Sequence, residues 1–362
     1  MIPRGFLSLI AVTDAKPIDP ATSGRRELAD WLANSQNPLT SRVIVNRVWA
    51  HLFGRGLVSS VDNFGLHGDA PSHPELLDHL AATFVTEGWS LKQLIRELTL
   101  TRAYQLSATA TQTHLAKDPQ NHFLWRHTPR RLSAEELRDA TLAASSRLNR
   151  ERPEGSPANE LKVVEIRNNG AEAKQIHEAA RASLSRSVYL PLVRDLTPVS
   201  LEVFDFAEQG MVTGSRETTT VPTQALYLLN DPFVRREALA LAEKVVQAES
   251  APEKRLQCVY RETLGREPTT AEVFRVAQFL SEFAAKAQPT LAAAEAAKPA
   301  VVAAEQSAEA TAKSTPVIDP DQVITNDVPL AEEVIRPSSA DSAAWAALCQ
   351  ALIGSAEFRY VR

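Results

Sequence analysis

The feature that most constrains this chain is a recurring helix start. Along its length a Ser, Thr or Asn is followed within one turn by Pro, Glu or Gln, and then by apolar residues three and four apart. Such starts fix where helices begin. The spacing that follows lays one apolar stripe of each helix against a core. "SGRRELADWLANS" places Leu28, Trp31 and Leu32 on one face behind a cap at Ser23. "NPLT" opens the next helix, which carries Val43, Ile44, Val48 and Leu52 and stops at Gly54. "SHPE" at Ser72–Glu75 has the form of a capping box and precedes Leu76, Leu77, Leu80, Phe84 and Val85. Ser90–Gln93, Ser133–Glu136 and Thr269–Glu272 repeat the device. "TTTVPTQALYLLNDPFVRREALALAEKVV" reads as an extended lead-in, a helix, a turn at Asn230–Pro232 and a second helix.

Strand signals are few. "SRSVYLPLVRD" is the best candidate, with Val188, Leu190, Leu192 and Val193, and the β-branched run at 216–222 is a second. The expected fold is therefore mainly α: a multi-helix globular domain with a minor extended or β element around 185–195 and 216–222. The expected organisation is a helical lobe over 1–150, an irregular connector over 151–184 and a second lobe over 185–283. A low-complexity Ala/Pro insertion over 284–339 and a C-terminal helix over 340–362 complete it. The insertion is compositional: 14 of the 30 residues from Ala284 to Lys313 are Ala, with Pro289 and Pro299 among them.

Composition narrows the function classes. At 362 residues with 44% hydrophobic and 23% charged residues, the chain can bury a substantial core. A net charge of −5 gives no reason to expect nucleic acid or an anionic membrane as partner. No apolar run reaches the ~20 residues of a membrane-spanning helix. "FLSLIAV" near the start is short, lacks a small-x-small cleavage pattern and reads as a buried strand or short helix rather than an export signal. Cys258 and Cys349 form no CxxC or CxxCH pattern, so no haem or zinc attachment is expected in this chain. Whether the two cysteines pair is left open by their spacing.

Charge is uneven. Residues 1–150 hold 17 Lys and Arg against 14 Asp and Glu, and 14 of the 17 are Arg. Arg makes forked hydrogen bonds and tolerates partial burial. Internal polar ties, anion recognition and a mere codon bias all fit that excess.

Three polar clusters stand out. In "VNRVWAHLFGRGLV", Asn46, Arg47, His51 and Arg55 thread an otherwise apolar helix, and Arg47, His51 and Arg55 share a face at intervals of four. A loop follows that contains Asp62, Asn63, His67, Asp69 and His73. A loop of this length inside a compact domain is either functional or pinned by polar contacts. In the site reading, His51 with Asp62 or His73 serves as general base or metal ligand, while Arg47 and Arg55 hold an anion. In the bracing reading, the same residues tie neighbouring segments together. No HExxH, HxH or Asp-x-Asp motif supports a metal, and bracing is the expectation. In "LWRHTPRRLSAEELRDA", Arg130, Arg131 and Arg138 flank a helix start, where they fit either a structural network or an anion grip. In "GSRETTTVPTQALYLLN", the Ser/Thr run lacks a nucleophile elbow, and no Gly-rich phosphate loop occurs in the chain.

Several of these stretches together resemble a known family. "PRGFLS", "NPLTSRVIVNRVWAHLFGRGLVSSVDNFGLHGDAPSHPELLDHLA", "GWSLKQLIRELTLTRAYQLS", "DPQNHFLWRHTPRRLSAEELRDATL", "TTTVPTQALYLLN" and "VYRETLGREP" are similar to the planctomycete C-terminal domain of unknown function numbered 1553 in that series. The resemblance runs from Ile2 to "SAEFRYVR" and is most specific over the first hundred residues. It implies a domain of large exported proteins, placed behind a second uncharacterised domain and often a cytochrome c domain. This chain starts at the domain's own first motif and carries no CxxCH, so any haem is expected on a partner. The functional expectation is an accessory or interaction domain that docks onto an exported, cytochrome-associated assembly. Its partner would be a cytochrome c-type or family upstream domain. The alternative is a ligand-binding or hydrolase-like domain using the Arg47/His51/Asp62/His73 region.

Overall fold

The computed structural model describes residues 4–7, 10, 12–13, 16–155, 171–193, 197–207, 209–210, 213–289 and 335–361. Their architecture is mainly α. The order is α1 (Arg25–Leu32), α2 (Pro38–Phe53), α3 (Pro74–Thr86), α4 (Leu91–Leu100), α5 (Gln112–Lys117), β1 (Arg130–Arg131), α6 (Ala134–Ala144), α7 (Ala171–Ala182), α8 (Val199–Glu202), α9 (Pro222–Asn230), α10 (Pro232–Ala248), α11 (Pro252–Leu264), α12 (residues 270–289), α13 (Ala340–Ile353) and β2 (Tyr360–Val361). The β element is one two-stranded antiparallel sheet of β1 and β2.

The minor β element therefore lies elsewhere than expected. Ser187–Tyr189 forms a 3-10 turn in place of the strand read from "SRSVYLPLVRD", with Val188 turned outward and Leu190 buried. The alternation there is real but too short to form a strand, and a bridge joins Asn149 to Ser185. "FLSLIAV" forms neither strand nor helix among its described residues, and Leu7 is exposed. The described part of the Ala-rich stretch, 284–289, continues α12, while 290–334 lie outside the described residues.

Contacts divide the chain into two compact units: Met1–Arg130 with Met211–Arg216 and Val361–Arg362, and Arg131–Gly210 with Glu217–Tyr360. The division falls just before α6, ahead of the boundary at 150 suggested by the sequence. The first unit is built on α2, which packs against α3 and α4. Its core is Val45, Trp49, Phe53, Leu57, Val58, Leu77, Phe84, Leu94 and Leu98. Trp49 and Phe53 stack at 4.0 Å between ring centroids, and Tyr104 meets Phe53 edge-on. The second unit is centred on the pairing of α10 with α13. Leu142, Leu201, Leu241, Val245, Val259, Trp345 and Ile353 lie at its centre.

Most helix starts behave as their caps dictate. Ser133 and Glu136 exchange hydrogen bonds with each other's backbone in a complete capping box. Thr269 and Glu272 do the same at α12. Ser90 caps α4 through Gln93 N. Two starts differ. At α3 the N-cap residue is His73, which makes no side-chain cap bond, and Pro74 alone sets the first turn. At α1 the N-cap is Gly24 in the left-handed region, and Ser23 only approaches Arg25 N at 3.4 Å. On α1 just Trp31 is buried, while Leu28 and Leu32 stay exposed.

Candidate functional site

The polar helix of the first unit resolves into an inward brace and an outward row. Asn46 is wholly buried. Its Nδ2 donates to Val58 O and its Oδ1 accepts from Val58 N, both at 2.9 Å. The carboxamide thus copies the donor–acceptor pair of a neighbouring strand and satisfies both backbone groups of a buried residue. The chain reaches that position through Gly54, whose left-handed φ of 81° stops α2, and through Gly56. A Cβ at Gly56 would lie 2.4 Å from Val58 O and 2.9 Å from the Asn46 carboxamide, so only glycine lets the backbone pass. Arg47 is half-buried and His51 is exposed at the last turn of α2. Arg55 donates to Ser59 Oγ through Nε and NH2, at 3.1 and 2.9 Å.

The loop from Gly54 to His73 is held by its own hydrogen bonds. Ser60 Oγ donates to Asn63 O and accepts from Asp69 N, each at 2.8 Å, spanning the loop through one hydroxyl. Asn63 N donates to Ser60 O, and Asn63 Oδ1 accepts from Gly65 N, which closes an Asx turn. Gly68 N donates to Gly65 O, and Ser72 N donates to Leu57 O at 2.8 Å across the loop's base. Phe64 is partly buried against the core of the unit. Leu66, at the apex, is 99% exposed. Asp62 and Asn63 are exposed, and His73 is half-buried with Nδ1 3.0 Å from Ser72 Oγ.

Among the described residues no hydrogen bond or ion pair joins any two of Arg47, His51, Arg55, Asp62, Asn63 and His73. What meets Asp62 is a distant stretch that sequence reading did not connect with it. A Cβ at Gly214 would fall 2.2 Å from Asp62 Cβ, so the backbone at Gly214 lies directly on that side chain. No signal in either segment announces the contact, beyond the glycine itself. Among the described residues no group of three or more His, Cys, Asp or Glu is placed to hold a metal ion.

The second arginine cluster divides. Arg130 is half-buried in the first unit. Arg131 belongs to the second unit, where it donates to Thr219 O and, at 2.9 Å, to Gln224 Oε1, with Asp205 Oδ2 at 3.8 Å. Asp205 in turn accepts from Thr219 N and Thr219 Oγ1 and holds a left-handed φ of 62°. Arg138 is buried and donates to Ser185 O, Ser187 Oγ, Ala180 O and Ser183 O. Burial pulls its guanidinium pKa below the ordinary arginine value, against the opposing pull of Asp139. Its role is to collect carbonyls at the C-terminal end of α7. Sequence reading also passed over Glu237, fully buried, which accepts from Ser145 Oγ at 2.7 Å and Arg147 NH1 at 3.0 Å. An acid within "FVRREALALAEK" looks like a solvated helix face, and nothing local marks it as internal.

Compared with known proteins, the chain matches the family model described as PSD1, protein of unknown function (DUF1553), over residues 24–280. No curated protein and no solved structure matches it. The match takes in most of the chain, and the chain belongs to that family.

Proposed function

We propose that this PSD1-family chain is an accessory domain that docks onto a protein partner, with the 54–73 loop as its recognition element. One observation carries the reading. The loop spends its polar groups on holding its own shape, yet leaves Leu66 99% exposed at the apex. A large apolar side chain on a braced loop meets a partner without an ordering cost, and that surplus appears as affinity. Leu66 is flanked in sequence by the exposed polar residues Asn63 and His67, and an apolar anchor with a polar rim is the usual anatomy of an interface centre. The family resemblance supplies the partner class: a cytochrome c-type domain or the family's upstream domain in an exported assembly. Haem, in this reading, belongs to the partner. No helix among the described residues is long and apolar enough to cross a membrane.

The test is capture of purified partner domains by immobilised wild-type chain and by Leu66→Asp. The reading expects capture of one of them, lost on substitution while melting temperature stays within about a degree, as for an exposed site. Equal capture by both proteins, or by neither, contradicts it.

A further inference from the structure

In the second unit, α6, α7, α8, α9 and the start of α10 enclose a cavity of about 20 Å³. Its polar lining is Arg138, His177, Arg181, Ser200, Tyr227 and Asp231. Space of this size admits one or two water-sized groups. The two oxygens of a carboxylate fit in it, with the rest of the ligand outside.

Three observations bear on what fills it. First, His177 Nδ1 is buried without a hydrogen-bond partner among the described residues. A buried, unmatched polar atom costs free energy, so native structures rarely leave one without a ligand or water. Second, the lining itself is cationic: it holds two guanidiniums, Arg138 and Arg181, and one carboxylate, Asp231. Third, the one acid in the lining is engaged. Asp231 Oδ1 accepts from Phe233 N at 2.8 Å, capping α10, and its Oδ2 lies 3.6 Å from Arg181. Tyr227 interacts with Ser200, and burial, reinforced by Asp231, lifts the phenol well above its ordinary range, so it stays a neutral donor.

We infer that this cavity is a binding site for the carboxylate of an acidic ligand. The oxygens accept from the hydroxyl of Tyr227, which Ser200 hydrogen-bonds, and from an Nδ1–H tautomer of His177, inside the field of Arg138 and Arg181. Arg138, bonded to carbonyls, acts as fixed charge, while His177 Nδ1 is the group with a bond still to make. The same carboxylate chemistry occurs in a small free acid and at a polypeptide C-terminus.

The probe is sodium acetate, added to the full chain at constant ionic strength made up with chloride, with melting temperature as readout. The expected result is a saturable rise of a few degrees with acetate and none with chloride. His177→Ala and Tyr227→Phe should each weaken the apparent Kd about tenfold, the worth of one charge-assisted hydrogen bond. Tyr227→Phe also removes the contact with Ser200, so Ser200→Ala serves as a third variant that separates that contact from ligand binding. Absence of a saturable rise, or an equal rise in all variants, overturns the inference. A tripeptide that binds with a free but not an amidated C-terminus identifies a polypeptide end as the source, and acetate binding without tripeptide binding identifies a small acid. The site is independent of Leu66, so its failure leaves the docking reading untouched.

Discussion

Asn46 illustrates how one side chain decides between two readings of the same motif. Its carboxamide pairs with both polar groups of Val58 inside the core of the first unit. Asn46→Ala strands two buried backbone groups and should cost about 2–4 kcal/mol, several degrees of melting temperature. His51→Ala, on an exposed side chain five residues on, should stay within about 0.5 kcal/mol. A thermal melt of the two variants checks the contrast. A drop in His51→Ala as large as in Asn46→Ala would mean His51 bears a tie of its own. The sequence made the presence of polar residues in α2 plain. Which one pointed inward was hidden, because the partner is the backbone of Val58, and a backbone group leaves no mark in a residue pattern. The same holds for Arg138, whose acceptors are mostly carbonyls, and for Asp62, whose neighbour is a glycine.

At the scale of elements, helix starts were the most legible feature, since a cap is a contact between residues three apart. The exceptions follow from Pro and Gly. Pro74 fixes the first turn of α3 without help, so Ser72 turns to His73 Nδ1 instead. Ser133→Ala should therefore cost about 1 kcal/mol and Ser72→Ala close to nothing. Denaturant titration of the two variants measures the difference, and equal losses would mean Ser72 caps after all. The missed turn at Ser187–Tyr189 has a different cause. Alternation over a few residues does not make a strand unless a neighbour offers a ladder, and here the segment instead supplies acceptors to Arg138. Loops were the least legible. A second turn in the first unit repeats the construction of the 54–73 loop: Asp118 accepts from His122 N and Phe123 N, and Phe123 is left exposed. Braced turns that display an apolar residue are thus a habit of this unit rather than a single accident.

For the molecule as a whole, the mainly α class followed from the helix starts, because local signals repeated often enough leave no room for a large sheet. The network that closes the second unit did not follow. Arg266 donates to both oxygens of Glu272 and of Glu357, and Glu357 lies 91 residues away. The Arg266 hydrogen bonds, opposed by burial, hold the Glu272 carboxyl down at about 2 against an ordinary 4.5. A folded-state pKa below the unfolded one adds stability that is complete above the unfolded value and vanishes as pH falls through the folded one. Melting temperature should therefore fall between about pH 5 and pH 2, and Glu272→Gln should flatten that part of the profile; an unchanged slope would count against the network. Polar residues of the first unit brace the 54–73 loop, whose apex we propose as the docking surface. Amide hydrogen exchange across the chain tests it most directly. The account predicts protection at Val58, Gly65, Asp69 and Ser72 well above that of an open loop, lost at Val58 in Asn46→Ala while the helices stay protected. Exchange at those amides as fast as in an unstructured peptide, in the unmodified chain, would contradict it.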